Sequence, residues 1–336
     1  MKGLALLSIA LTACAPIFAQ AAKPEASPQR RASLSIFEEN DFRFSDRYYT
    51  NGFKATYTDP GDDWWSSRLQ FMALRLFADS PGAQASQTAS FGQDMYVGYD
   101  ISIPNPPEGD RPYAGWLYLS SGAHIATKNS LDSLTVSLGI VGPQSYAGDT
   151  QKAYHEIIGD DRPRGWDTQI KNEPGIIIAY NHSQRLFRTD LGGGFSADFI
   201  GSLGANLGNV STEGRAKVLA RFGFNLPYSF EAARIEAASG QDVEWAGPCG
   251  RPDWHLFLYF GGVGRLVGYD ITLDGNTFAD SRSVAKKWLV GETNLGVSAR
   301  YGRVELNLNW VVRSEEFNTQ RYGAHMFWAA SAKYMF

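Results

Sequence analysis

The sequence predicts an all-β protein, a transmembrane antiparallel β-barrel of about 12 strands with a short helix in an extracellular loop. Apolar residues alternate with polar or glycine residues along many segments, as in Arg303–Val312 and Leu131–Ile140. Two packed soluble sheets would give the same alternation. Several segments, however, have ten residues or more, which suits a tilted strand that crosses a bilayer. Phe336 ends the chain after apolar or aromatic residues at every second position, which is typical of the closing strand of a membrane barrel.

The strand pattern repeats an even number of times, as single-chain bacterial barrels require. The predicted strands are 33–43, 48–58, 91–101, 113–126, 131–141, 174–183, 193–205, 213–224, 254–268, 287–301, 303–313 and 324–336. With both chain ends in the periplasm, the loops that face the cell exterior are 43–47, 102–112, 142–173 and 269–286. Two long inserts, 59–90 and 225–253, then fall on the periplasmic side. In the first insert, Trp65, Leu69, Met72 and Leu76 recur at helical spacing, which predicts either a helix on the inner leaflet or a core helix.

The first residues predict a secretory signal peptide, because a charged start precedes a short apolar run and a small-residue cleavage site. We assign 1–21 to this signal, 22–32 to a flexible lead-in and 33–336 to the outer-membrane barrel domain. An alternative is a lipoprotein signal that ends at Cys14. After removal of the signal peptide only Cys249 remains, so an internal disulfide is excluded.

Charge and hydropathy narrow the function classes. The net charge of −4, without a run of Lys or Arg, gives no indication of nucleic-acid binding. No segment after the signal has 18 uninterrupted apolar residues, so a transmembrane helix is not predicted. A secreted chain of this kind can still cross a membrane as a closed barrel. The expected location is the bacterial outer membrane.

A polar junction separates the first two predicted strands. It contains Glu39-Asn40-Asp41 and, after a short gap, Asp46-Arg47-Tyr48-Tyr49-Thr50-Asn51-Gly52. Carboxylate and amide oxygens gathered this closely are the ligands that Ca²⁺ prefers. A polar hairpin tip without a ligand is the alternative interpretation.

The long outer loop 142–173 supplies a candidate acid–base residue. Its residues 146–158 predict a helix that Gly159 ends, and Gln151, Tyr154, His155 and Ile158 share one face. His155 is the candidate because an imidazole titrates near neutral pH. The chain has no Gly-x-Ser-x-Gly motif, and Ser145 has no partner nearby in sequence, so water activated by histidine is favoured over a serine nucleophile. The other histidines are weaker candidates: His124 and His325 are predicted to face the lumen, His182 to lie near a periplasmic turn, and His255 to begin a strand.

These motifs together resemble the lipid A 3′-O-deacylase family of LpxR type, over the whole mature chain. The segments that carry the resemblance are Glu39-Asn40-Asp41, 46–52, Asp110-Arg111-Pro112-Tyr113-Ala114-Gly115-Trp116-Leu117-Tyr118, Gly142-Pro143-Gln144-Ser145 with Gln151, His155, Ile158-Gly159 and Gly165-Trp166, and 273–278. The resemblance implies a twelve-stranded outer-membrane barrel that hydrolyses the ester-linked 3′-acyloxyacyl chain of lipid A, the anchor of lipopolysaccharide, with Ca²⁺ as cofactor.

The resemblance also implies roles for individual residues. His155, Asn40 and Thr50 are expected to be catalytic, and Asp41 is expected to bind Ca²⁺. Arg111 and Asn51 are expected to bind the substrate, with the Arg111 guanidinium on a lipid A phosphate. Residues 101–109 contain no lysine, so a lysine-assisted step known from the family pattern has no counterpart there. A monomer embedded in the membrane is expected.

Two other functions fit the barrel. One is an outer-membrane phospholipase, which would use the same hydrolytic chemistry on a glycerophospholipid. The other is a pore or scaffold without enzymatic activity, whose lumen would carry Lys217, Arg221, Glu305 and Asn307.

Overall fold

A computed structural model describes residues 31–41, 46–78, 80–247 and 253–336. The predicted signal peptide, most of the lead-in, and Cys249 lie outside the described residues. The described residues form a closed antiparallel barrel in which each strand pairs with its sequence neighbours and the twelfth pairs back with the first. The strands are β1 Ser33–Asn40, β2 Tyr48–Pro60, β3 Gln84–Val97, β4 Ala114–Ala126, β5 Ser130–Val141, β6 Glu173–Gly192, β7 Phe195–Gly208, β8 Ser211–Phe224, β9 Trp254–Asp270, β10 Leu289–Tyr301, β11 Val304–Arg313 and β12 His325–Met335.

The fold class, the strand number and the order of the loops are confirmed. Most strand ends lie within three residues of the prediction, and two strands differ by more. β3 begins at Gln84 rather than at residue 91, and β6 continues to Gly192 rather than ending at residue 183. The first seven residues of β3 are small or polar, QASQTAS, and therefore lack the large apolar side chains that mark a lipid-facing strand.

The two faces of the wall differ as a membrane barrel requires. Along β11, Val304, Leu306, Leu308 and Trp310 are exposed, whereas Asn309 between them is buried in the lumen. Aromatic side chains gather where the wall meets the periplasm. Tyr57 stacks on Trp64 with ring centroids 6.0 Å apart, and its ring lies 6.4 Å from that of Phe336.

The segment that follows β8 fills the lumen, which corrects the expectation that 225–253 lies at the periplasmic side. Its Arg234 donates to Glu39 over 2.6 Å and to Glu292 over 3.0 Å, and its Glu236 accepts from Lys217 over 2.8 Å. The inward-facing charges of the wall require partners because they are removed from water, and this segment supplies some of these partners. A lumen filled in this way argues against an open pore.

Three helices accompany the strands in the described part of the chain: α1 Arg68–Ala78, α2 Ala147–Ile158 and the short α3 Ile271–Asp274. The helix predicted over 146–158 is therefore confirmed, and Gly159 ends it in a left-handed conformation with φ 71°. Both longer helices pack on the outside of the wall, α1 near its periplasmic end and α2 near its outer end. Among the described residues, no helix is both long and apolar enough to cross a membrane.

Candidate active site

A cavity of about 530 Å³ lies between α2 and the outer ends of β1, β2 and β3. Phe53 and Phe91 line it and share the outward face of their strands with exposed apolar residues such as Tyr57. The cavity is therefore on the side of the barrel that faces the lipid, and not in the lumen. Its other lining residues are Glu38, Asn40, Asp46, Thr50, Asn51, Gln93, Met95, Thr150, Gln151, Tyr154, His155, Ile158 and Asp160.

The hairpin between β1 and β2 places polar groups at the mouth of this cavity. β1 ends at Asn40, and the register of β2 against β3 shifts between Tyr49 and Asn51, which is a bulge at Thr50. Because of the bulge, Thr50 and Asn51 both line the cavity, although successive residues of a regular strand face opposite sides. Asp46 enters the hairpin with φ 45°, a left-handed conformation that Asp tolerates better than most residues.

His155 is held in one orientation on α2. Its Nδ1 lies 2.5 Å from the carbonyl oxygen of Asp161, which only accepts hydrogen bonds. In the neutral imidazole Nδ1 therefore carries the proton, and Nε2 keeps a lone pair directed at the cavity. Nε2 lies 3.3 Å from Oδ2 of Asp46. This arrangement suits a general base whose protonated form is stabilised by a carboxylate.

The carboxylate of Asp46 is fixed through its other oxygen. Oδ1 accepts from Thr50 Oγ1 over 2.5 Å and from Gln151 Nε2 over 3.2 Å. Gln151 in turn accepts from the indole of Trp166 over 2.7 Å. Burial raises the pKa of Asp46, while the Thr50 hydrogen bond and the nearby His155 lower it, and the net change is upward.

Asp46, His155 and Asp160 form a cluster that fits a metal ion, since one ligand atom from each lies within 4.8 Å of the others. Oδ2 of Asp46 is buried without a hydrogen bond of its own. Ca²⁺ prefers oxygen ligands, and the carboxylates of Asp46 and Asp160 with the nearby amides of Asn40 and Asn51 offer them. The donor set therefore fits this cation.

Comparison with known proteins agrees with the fold. The family model described as "Outer membrane protein LpxR" matches residues 4–336. The chain belongs to the LpxR family. No curated protein sequence matches it. Among solved structures, LpxR from Salmonella typhimurium is similar at 19% identity with a TM-score of 0.74, covering 90% of this chain and 100% of that one. The β domain of the Bordetella autotransporter BrkA gives 11% identity and a TM-score of 0.43, covering 91% and 98% of the two chains. As an LpxR-family barrel, the protein resides in the bacterial outer membrane.

The site of this LpxR-family protein brings together most of the residues that its sequence indicates. Asn40, Thr50, Asn51 and His155 all line the cavity. Asp41 is buried beside it, and its Oδ2 accepts from the backbone N–H of Arg47 over 2.7 Å. The carboxylate that faces His155 is instead that of Asp46.

Sequence reasoning did not single out Asp46 or Asp160, and it placed Gln151 only on a helix face. Asp46 stands four residues before Thr50, and Asp160 directly follows the glycine that ends α2. Both acids therefore stand close in sequence to residues that the sequence analysis did indicate. Their convergence depends on α2 folding back over the first hairpin, which sequence spacing does not reveal.

Arg111 lies elsewhere in this LpxR-family fold, which corrects its expected role. Its side chain is buried, donates to Glu316 over 2.7 Å and to Thr272 over 2.8 Å, and lies over the ring of Tyr96 at 4.6 Å. Burial alone would raise the pKa of Glu316, but Arg111 and other cations lower it to about 2. Because its guanidinium is buried in these contacts, Arg111 joins the outer loops and does not present this group to a phosphate.

The other histidines and Ser145 do not line the cavity. His124 and His325 are fully buried, and His182 contacts Asp132 near the periplasmic end of the wall. Ser145 is buried and donates to the carbonyl of Gly142 over 2.6 Å. Its hydroxyl thus has a structural partner in the loop.

Proposed function

We propose that the protein hydrolyses the ester-linked 3′-acyloxyacyl chain of lipid A. The main support for this proposal is the position of His155. Its Nε2, with the Asp46 carboxylate beside it, lies in a cavity near the outer end of the barrel, on the side that faces the lipid. Lipid A lies in the leaflet at that height, so its ester can enter sideways from the membrane. Phe53, Phe91 and Met95 give this cavity an apolar side that suits an acyl chain.

The proposed reaction needs one proton acceptor and water. Nε2 of His155 takes a proton from water, and the hydroxide attacks the ester carbonyl carbon. The tetrahedral intermediate then releases the 3′ oxygen of the sugar, which receives the proton from His155. The products are a free acyloxyacyl acid and a lipid A with a 3′-hydroxyl.

The neighbouring residues position this chemistry. Asp46 stabilises the imidazolium that forms on His155, and Thr50 and Gln151 hold the Asp46 carboxylate in place. Thr50 thus acts as a positioning residue. Asn40 and Asn51 line the cavity, and their amide N–H groups can donate to the oxygen on which negative charge develops.

We further propose Ca²⁺ as the cofactor, held by the carboxylates of Asp46 and Asp160 with Asp41 close to the same hairpin. When bound, Ca²⁺ supplies a positive charge that stabilises a developing oxyanion. His155 keeps its role as base because an imidazole nitrogen is a poor ligand for this hard cation.

Mass spectrometry of lipid A tests the activity. Lipid A from cells that express the protein in calcium-containing medium should lose the mass of its 3′-acyloxyacyl unit, and cells with the His155→Gln variant should not show this loss. Unchanged lipid A together with release of fatty acids from glycerophospholipids would favour the phospholipase instead. Unchanged lipid A without any acyl release would contradict the proposal.

A further inference from the structure

Helix α1 has two apolar faces, and only one of them is covered. Phe71 and Leu74 are buried against Ala123 and Ile125 of β4. The opposite face carries an exposed apolar stripe at a spacing of three to four residues, with relative exposures of 77% at Leu69, 66% at Met72 and 86% at Leu76. Trp65, in the 3-10 turn just before α1, continues this stripe and is 86% exposed. A helix that faces water would not carry such a stripe, because its exposed apolar side chains would forgo the favourable free energy of burial.

The height of α1 along the wall indicates what covers this stripe. Just before the helix, Trp64 stacks on Tyr57 in the aromatic band at the periplasmic end. The hydroxyl of Ser121, well inside β4, donates to the carbonyl of Ser66 over 3.3 Å. The helix therefore lies beside the wall, above the band and not below it. Exposed lipid-facing residues such as Leu119 on β4 continue the same apolar surface upward.

Two arginines flank the stripe. Arg68 and Arg75 are seven residues apart, so they lie on the same edge of α1. Both are exposed, and Arg75 pairs with Asp62. Long cationic side chains at the edge of an apolar helix reach from the hydrocarbon region to phosphate groups at the surface.

We propose that α1 is a membrane-embedded helix that binds the phospholipids of the inner leaflet, with its apolar stripe among the acyl chains and Arg68 at a lipid phosphate. The barrel then contacts the inner leaflet through a helix packed on β4, next to the strands β1 to β3 whose outer ends line the cavity. This contact fixes the tilt and depth of that part of the wall, and it is independent of the reaction proposed for the cavity.

A spin label at residue 72 tests this proposal. Met72→Cys is made in a background where Cys14 and Cys249 are replaced by serine, and the protein is reconstituted in phosphatidylcholine vesicles. The ratio of collision with oxygen to collision with a water-soluble nickel chelate should match that of a label at Leu138→Cys, an exposed position on the lipid-facing wall. It should exceed that of a label at Glu108→Cys, which is exposed in an outer loop. A ratio equal to that of Glu108→Cys would overturn the proposal.

Tryptophan fluorescence gives a second measurement that needs no label. Phosphatidylcholine brominated on its acyl chains should quench part of the emission, and Trp65→Phe should remove part of that quenchable signal. Trp245→Phe is the matched control, because Trp245 belongs to the segment in the lumen. An unchanged quenchable signal in Trp65→Phe would show that the stripe lies outside the hydrocarbon region and would also overturn the proposal.

Discussion

Nε2 of His155 lies 3.3 Å from Oδ2 of Asp46, on the lipid-facing side of the barrel wall. The first residue comes from a long outer loop and the second from the first hairpin. Their contact exists because α2 packs over the ends of β1 to β3 and encloses a cavity beneath it. A reaction on a membrane lipid needs this placement, since a lumenal site would require the lipid to leave the bilayer.

Replacement of His155 gives the most direct test of the proposed base. His155→Gln should lower the rate of lipid A deacylation by about 10²–10⁴-fold, the usual contribution of general acid–base catalysis. The rate is measured by mass spectrometry of lipid A in mixed micelles, and the barrel fold by its heat-modifiable migration on gels. His182→Gln is the matched control, because His182 lies near the periplasmic end of the wall, and it should retain full activity. Full turnover in His155→Gln would contradict the mechanism.

The pKa of Asp46 predicts how activity depends on pH. Burial raises this pKa above the ordinary range of an aspartate, so Asp46 takes up a proton at a higher pH than a solvated aspartate does. In the metal-free site this proton competes with Ca²⁺, so the Ca²⁺ concentration needed for half-maximal activity should rise on acidification before ordinary carboxylates titrate. Thr50→Val removes a hydrogen bond that lowers the pKa, and at limiting Ca²⁺ it should move the acid limb of kcat/KM to still higher pH. An acid limb unaffected by Thr50→Val would show that another group titrates.

Ca²⁺ and Zn²⁺ should have opposite effects on activity, because they bind different atoms of the cluster of Asp46, His155 and Asp160. EDTA should abolish activity and Ca²⁺ should restore it, because Ca²⁺ takes oxygen ligands and leaves the imidazole free. Zn²⁺ should inhibit, because it accepts imidazole nitrogen and would occupy Nε2 of His155. Asp160→Asn should raise the Ca²⁺ concentration needed for half-maximal activity and should weaken inhibition by Zn²⁺. Activity that persists in EDTA would rule out the proposed cofactor.

The fold was predictable from sequence because a membrane barrel imposes a two-residue period on every strand. Outward residues such as Leu306 and Leu308 meet lipid, while the inward Asn309 meets charged or polar partners. The early part of β3 escaped prediction since its small residues lack that contrast. The lumenal position of Arg234 and its neighbours also escaped, because ion pairs with Glu39 and Glu292 join segments far apart in the chain.

The parts of the candidate site that lie within one short stretch of sequence were predictable. Asn40, Thr50 and Asn51 stand in one polar junction, and His155 stands on an amphipathic helix. The partner of His155 was not predictable, because Asp41 and Asp46 offer the same carboxylate in the same hairpin. Only the bulge at Thr50 and the hydrogen bond from Arg47 N–H to Asp41 decide which one faces the imidazole.

Arg111 is buried in an ion pair, so we expect it to stabilise the fold and not to bind the substrate. Arg111→Ala should destabilise the barrel by up to about 3–5 kcal/mol, the usual cost of breaking a buried ion pair, because Glu316 then keeps only its longer pair with Arg313 at 3.4 Å. The temperature at which heat modifiability is lost measures this effect. The double variant Arg111→Met with Glu316→Leu should recover part of the loss, since no charge is then left unpaired. In the folded fraction of either variant the KM for lipid A should stay unchanged. A raised KM with unchanged thermal stability would instead restore Arg111 as a phosphate-binding residue.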